Sequence, residues 1–167
     1  MNAEAALAAN IQIMQLATSC WTSRCLHLVA ELGIADFIGD QPQSTEALAK
    51  ASGTQPNALY RVLRLLASVG IFEWEHGAWH HTDTSRLLRS DHPVSLRDYV
   101  RMLGLPVFWN AFADLDHSLR TGKSAFAKHH PEGVFKYLAK HPGGKPHLRR
   151  GYGLEIAPRY RSHTTCV

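Results

Sequence analysis

Leu7, Ile11, Met14, Thr18, Trp21, Cys25, Leu28 and Leu32 recur at spacings of four and three, which places one residue per turn along a single face of a helix. No proline or glycine interrupts the stretch before Gly33. About 30 residues of helix span about 45 Å at 1.5 Å per residue, longer than a compact domain of this size is wide. The stripe therefore packs on the chain's own helices or meets a second copy, and its length favours the second. Leu7, Ile11, Met14, Thr18, Trp21, Cys25 and Leu28 are the expected dimer seam.

Past Gly33, Ile34–Ile38 reads as one short helical turn before a loop. Ser44 is suited to cap a helix, Glu46 sits where the helix dipole favours an anion, and Ser52-Gly53 ends the pattern. Thr54 is the expected cap of the next helix, with Pro56 in its first turn and Leu59, Val62, Leu63, Leu66 and Val69 on its apolar face. Two short helices joined by a glycine turn form a helix-turn-helix. The period then changes: residues 71–75 and 78–82 flank His76-Gly77, the pattern of a two-stranded hairpin. The fold class that follows is mainly α, a winged helix-turn-helix core with a small β-hairpin wing and long dimerisation helices.

Further on, Ser95 with Asp98 predicts a capped helix through Val100 to Leu103. Gly104-Leu105-Pro106 stops it and starts a helix running to Gly122, with Val107, Phe108, Phe112, Leu115 and Leu119 on its apolar face. Pro131 is expected to open a last helix carrying Val134, Phe135 and Leu138.

The formal net charge is +4, but residues 1–143 hold 13 basic and 13 acidic side chains, while residues 144–167 hold five basic ones against Glu155. A balanced body has no general electrostatic attraction to phosphate. A local stripe, Asn57, Arg61, Arg64 and Ser68, has the residue types that read a major groove, yet Glu73 and Glu75 on the hairpin would oppose a phosphate backbone. Nucleic acid is not the expected partner, and a DNA-binding regulator stays as the alternative reading.

His76, His80 and His81 raise a metal question, but neighbours on a strand point to opposite faces and no Cys or acidic residue completes a set. No metal site is expected. Cys20, Cys25 and Cys166 show neither a disulfide framework nor zinc spacing. With no secretory signal and no apolar run of membrane-spanning length, the expected compartment is cytoplasmic. Gly151-Tyr152-Gly153 lacks the preceding strand and following helix of a nucleotide-binding loop. No catalytic or cofactor-binding residue is expected in this chain.

Trp21–Asp36, followed by Ala58–Phe72, resembles the plant-type O-methyltransferases, a family that includes caffeic acid, flavonoid and hydroxyindole methyltransferases and bacterial enzymes acting on phenazines and polyketides. Leu96–Met102, Trp109, Leu119–Gly122 and Phe135–Pro142 continue the likeness in order. The resemblance implies a dimerising winged-helix domain over residues 1–143, placed in the full-length family ahead of a domain that holds S-adenosylmethionine and methylates a small aromatic hydroxyl. It also implies that Met102, Phe108 and Trp109 face an aromatic acceptor and that Trp21 lies near the partner's pocket. A small-ligand binding protein with a pocket beside Trp109 is the second alternative.

The likeness stops at Gly143. Residues 144–167 read as a basic tail that is neither helix nor strand, whereas a shifted reading frame, with codons chosen to permit it, yields an amphipathic helix resembling the family's next segment. The expectation is a frameshift-derived tail on a truncated relative that has no methyl transfer activity of its own. An intact gene in a single frame would contradict it.

Overall fold

Asn2 opens the first helix by accepting a hydrogen bond from the Ala5 N–H at 2.8 Å, and the helix runs unbroken from there to Gly33. The computed structural model describes residues 2–134, 136 and 137, which fall into two compact units dividing between Gly104 and Leu105.

The first unit begins with α1 (Ala3–Leu32), ended by Gly33 at φ 69, a left-handed conformation that glycine adopts without penalty. Then come α2 (Ile34–Ile38), α3 (Thr45–Ser52) and α4 (Pro56–Ala67). Ser44 caps α3 as expected, accepting from Ala47 N–H. Thr54 does not cap α4: its hydroxyl bonds the Ser52 hydroxyl at 2.9 Å, and Gln55 takes the cap position with no side-chain bond. Leu59, Leu63 and Leu66 are buried, whereas α4 stops at Ala67 and leaves Val69 exposed in the turn beyond it.

Strands β1 (Phe72–Glu75) and β2 (Ala78–His81) pair antiparallel with Trp74 opposite Trp79. Both turn residues, His76 at φ 49 and Gly77 at φ 81, have positive φ, as the two-residue turn matching strand twist requires. Gln43 adds one bridge to the outer side of Trp79. Helix α5 (Asp83–Arg86) follows, closed by a capping box between Thr82 and Ser85, and α6 (Arg97–Leu103) completes the unit. Ser95 sits one position outside the expected cap, accepting from Arg97 N–H, while Leu96 is the cap residue.

One core joins these elements: Val29 and Ala30 of α1, Ile34 and Ile38 of α2, Leu48 of α3, Leu59, Leu63 and Leu66 of α4, Phe72 and Trp79 of the hairpin, with Leu88 and Val100. Each large side chain contributes about 1.5–3 kcal/mol by leaving water. Trp79 is completely enclosed, and its indole N–H donates to the Thr45 hydroxyl at 2.9 Å, which removes the penalty of burying that polar group.

The second unit differs from expectation. The single helix to Gly122 is broken at Asp114 into α7 (Pro106–Ala113) and α8 (Leu115–Thr121), and α9 (Ala125–His129) was not foreseen. Of the predicted apolar face only Val107 is buried and Phe108 half-buried, while Phe112, Leu115 and Leu119 are exposed. The break at Asp114 turns the expected stripe off one continuous face. Asp114 accepts from both Lys128 and His129, tying α9 to the α7–α8 junction. Pro131 lies in a turn, with helical residues resuming at Val134; Phe135, Leu138 and the 144–167 tail lie outside the described residues.

Candidate dimerisation surface

The two ends of α1 stand in different surroundings. Towards its C-terminus, Cys25 and Leu26 pack against the core that holds Val29 and Ala30. Polar bonds fix the same end to α6. Arg24 donates to the Gly104 carbonyl at 2.9 Å, Arg97 Nε to the Ala30 carbonyl at 2.9 Å, and Arg101 makes a two-pronged pair with Glu31 at 2.7 and 3.1 Å. Arg97 also reaches Asp36 at 2.7 Å, and the other Asp36 oxygen accepts from Ser90 N–H. One guanidinium thus satisfies a carbonyl at the end of α1 and neutralises an acid on α2.

Gly104 permits this contact. A Cβ there would lie 2.7 Å from the His27 Cβ, closer than two carbon atoms can approach without a shift. Burial holds the His27 imidazole below the usual histidine range, with Arg24 adding to the effect, and burial pushes the Cys25 thiol up.

The other end is bare. From Leu7 to Ala17 every residue is exposed, Met14 at 68%, and Trp21 remains 66% exposed further along. Of the seam residues expected from the sequence, Leu7, Ile11, Met14, Trp21 and Leu28 are exposed, Thr18 is half-buried, and Cys25 turns towards the chain's own core. Thr18 returns its hydroxyl to the Met14 carbonyl at 2.8 Å, so its outward side is a methyl group suited to an apolar neighbour.

Among the residues expected near an aromatic acceptor, Trp21 is exposed on α1 and Met102 is fully buried on α6. Phe108 and Trp109 are half-buried on α7. In that second unit Phe108 stands 6.4 Å from Phe126, and Trp109 meets Phe112 edge-on at 6.4 Å. On α4, Asn57, Arg61, Arg64 and Ser68 form an exposed face, and Glu73 and Glu75 are exposed on β1. Of the histidines weighed for metal, His81 is engaged with the Ser85 hydroxyl and the Ala35 carbonyl. The sequence reading missed Arg97, Asp36, Arg101 and Gly104, whose bonds between α6 and the α1–α2 end join residues 61 to 80 positions apart and leave no periodic signal.

A long helix anchored at one end and bare at the other, on a helix-turn-helix with a hairpin, defines a mainly helical association domain. Residues 14–91 match the O-methyltransferase dimerisation domain, and this part of the chain belongs to that family. The phenazine O-methyltransferase PhzM of Lysobacter antibioticus is 41% identical over 131 residues, which are 78% of this chain and 38% of that relative. The crystal structure of LaPhzM superposes with a TM-score of 0.80 at 37% identity, covering 86% of this chain and 43% of that one. An O-methyltransferase from neocarzinostatin biosynthesis, NcsB1, crystallised with S-adenosylmethionine and 2-hydroxy-5-methyl naphthoic acid, superposes with a TM-score of 0.63 at 27% identity, over 76% of this chain and 40% of that one. The chain therefore spans less than half the length of the relatives it matches.

Proposed function

We propose that this chain pairs two copies of itself through α1 and so supplies the dimerisation part of an S-adenosylmethionine-dependent methyltransferase acting on a small aromatic hydroxyl compound. The exposed apolar half of α1 carries the reading: Leu7, Ile11, Met14 and Trp21 lie along one side and face water in the single chain. Exposed apolar surface in a contiguous stripe marks association. The relatives' aromatic substrates supply the acceptor class, with Trp21, Met102, Phe108 and Trp109 as its proposed neighbours and residues 1–143 as the proposed domain.

S-adenosylmethionine does not fit the residues described. The strands among them are joined by a two-residue turn, and no glycine-rich loop leads from a strand into a helix to receive an anionic or nucleoside group. No step of methyl transfer is assigned to these residues. Among them no helix is long and apolar enough to cross a membrane.

Light-scattering mass of the chain and of a Met14→Glu, Trp21→Glu variant tests the pairing. The unchanged chain should run at twice 18.6 kDa and the variant at the single-chain mass, since two carboxylates per copy would be buried without partners. An unchanged mass in the variant would remove α1 from the interface.

A further inference from the structure

The second helix of the helix-turn-helix carries charge that the fold does not use. Residues 47–72, which span most of α3, the turn and all of α4, hold Lys50, Arg61 and Arg64 and no Asp or Glu. Arg24, Arg89, Arg97 and Arg101 of the same unit each bond a carbonyl or a carboxylate, whereas neither the Arg61 nor the Arg64 guanidinium has a hydrogen bond or ion pair among the described residues. At about 100° per residue, Asn57, Arg61, Arg64 and Ser68 fall within about 60° of one another. All four are exposed, with Leu59, Leu63 and Leu66 buried on the opposite side. Two like charges one turn apart destabilise a helix, so the stability of α4 does not explain this face.

Glu73 and Glu75, which set the sequence expectation against a phosphate partner, do not share that face. Successive strand residues point to opposite sides. Trp74 turns towards α4, where its ring meets Tyr60 edge-on at 5.4 Å and lies 4.6 Å from its cross-strand partner Trp79. Glu73 and Glu75 therefore project from the other side of the hairpin, alongside their cross-strand partners His80 and Ala78. We infer that the exposed side of α4 binds duplex DNA by entering the major groove, independently of the pairing through α1. Its residue types fit the base edges there: an arginine donates two hydrogen bonds to guanine O6 and N7, and an asparagine pairs with adenine N6 and N7. The second helix of a helix-turn-helix presents such residues from its N-terminal half, where Asn57 and Arg61 lie in α4. A carboxylate-bearing protein segment would satisfy the guanidinium groups alone, whereas base edges in a groove answer the amide and both guanidinium groups along one line.

Residues 1–143 carry 13 basic and 13 acidic side chains, so no diffuse attraction in the body of the chain replaces these two arginines. Fluorescence anisotropy of a labelled random-sequence duplex of about 30 base pairs, titrated with the full chain at about 50 mM salt, tests the inference. The unchanged chain should bind, and should weaken about tenfold or more between about 50 and about 200 mM salt, the counterion release expected when two cations meet the duplex. Arg61→Glu with Arg64→Glu should weaken binding about tenfold or more at the lower salt, with the light-scattering mass of the same sample unchanged. Binding that survives this pair of substitutions would belong to residues outside α4 and overturn the inference, as would an unchanged chain that does not bind at the lower salt. Competition on the unchanged chain is a second reading that needs no variant: unlabelled duplex should displace the probe, and polyglutamate at equal charge should not. Displacement by polyglutamate as readily as by duplex would assign the face to an acidic protein partner and overturn the inference too.

Discussion

Gly104 is where the absence of a side chain lets two helices meet closely. Its missing Cβ lets α6 close on His27 of α1, and Gly104→Ala should destabilise the fold by about 1–3 kcal/mol through the forced shift, measured as a lower urea midpoint. His81 links three elements in another way. Its Nε2 faces the Ala35 carbonyl oxygen at 3.1 Å and so carries the proton, while Nδ1 meets the Ser85 hydroxyl at 2.8 Å. Burial is the main cause holding this imidazole below the usual 6.5; the Ala35 bond opposes it, Arg86 and Arg89 reinforce it, and Asp40 opposes it weakly. The unfolded chain therefore takes up this proton at higher pH than the folded one. Stability is complete above 6.5 and falls as pH drops through the window between the unfolded and folded values. His27 shifts in the same direction, so His81→Gln should reduce, without abolishing, the loss in urea midpoint between about pH 7.5 and about pH 5.5. A midpoint that rises on acidification would contradict this account.

At the scale of elements, Arg97 joins α6 to the end of α1 and to Asp36 of α2. Arg97→Ala should cost about 2 kcal/mol in a denaturation experiment, because a half-buried carboxylate and a helix-end carbonyl lose a shared donor. That junction was invisible in the sequence, since an ion pair across 61 residues has no local pattern. The elements themselves were legible where local chemistry is decisive. Gly33 and Gly53 end helices in the left-handed conformation, Ser44 caps α3, and His76-Gly77 turns the hairpin. Reading failed where the local signal was shared. Thr54 resembles a cap but is taken by Ser52, and the apolar spacing through Leu119 continues across Asp114 although the helix does not. Within the candidate surface, the stripe from Leu7 to Trp21 followed from periodicity alone, while Cys25 shares the same register and packs inward. Spacing identifies a face and does not say which neighbour covers it.

The whole molecule combines an anchored core with a helix whose first two turns and beyond touch little of their own chain. An isolated helix of that length is only marginally stable in water, so a folded α1 calls for cover along residues 5–23, which the proposed pairing with a second copy would supply. The balanced charge of residues 1–143 is compatible with such pairing, because two like bodies repel little when each is near neutral. Amide hydrogen exchange across α1, followed from dilute to concentrated protein, tests this central claim most directly. The account predicts that residues 5–23 exchange rapidly when dilute and become protected as concentration rises, in step with the doubling of mass, while α4 stays protected throughout. Rapid exchange of residues 5–23 at every concentration, or protection that does not depend on concentration, would contradict it.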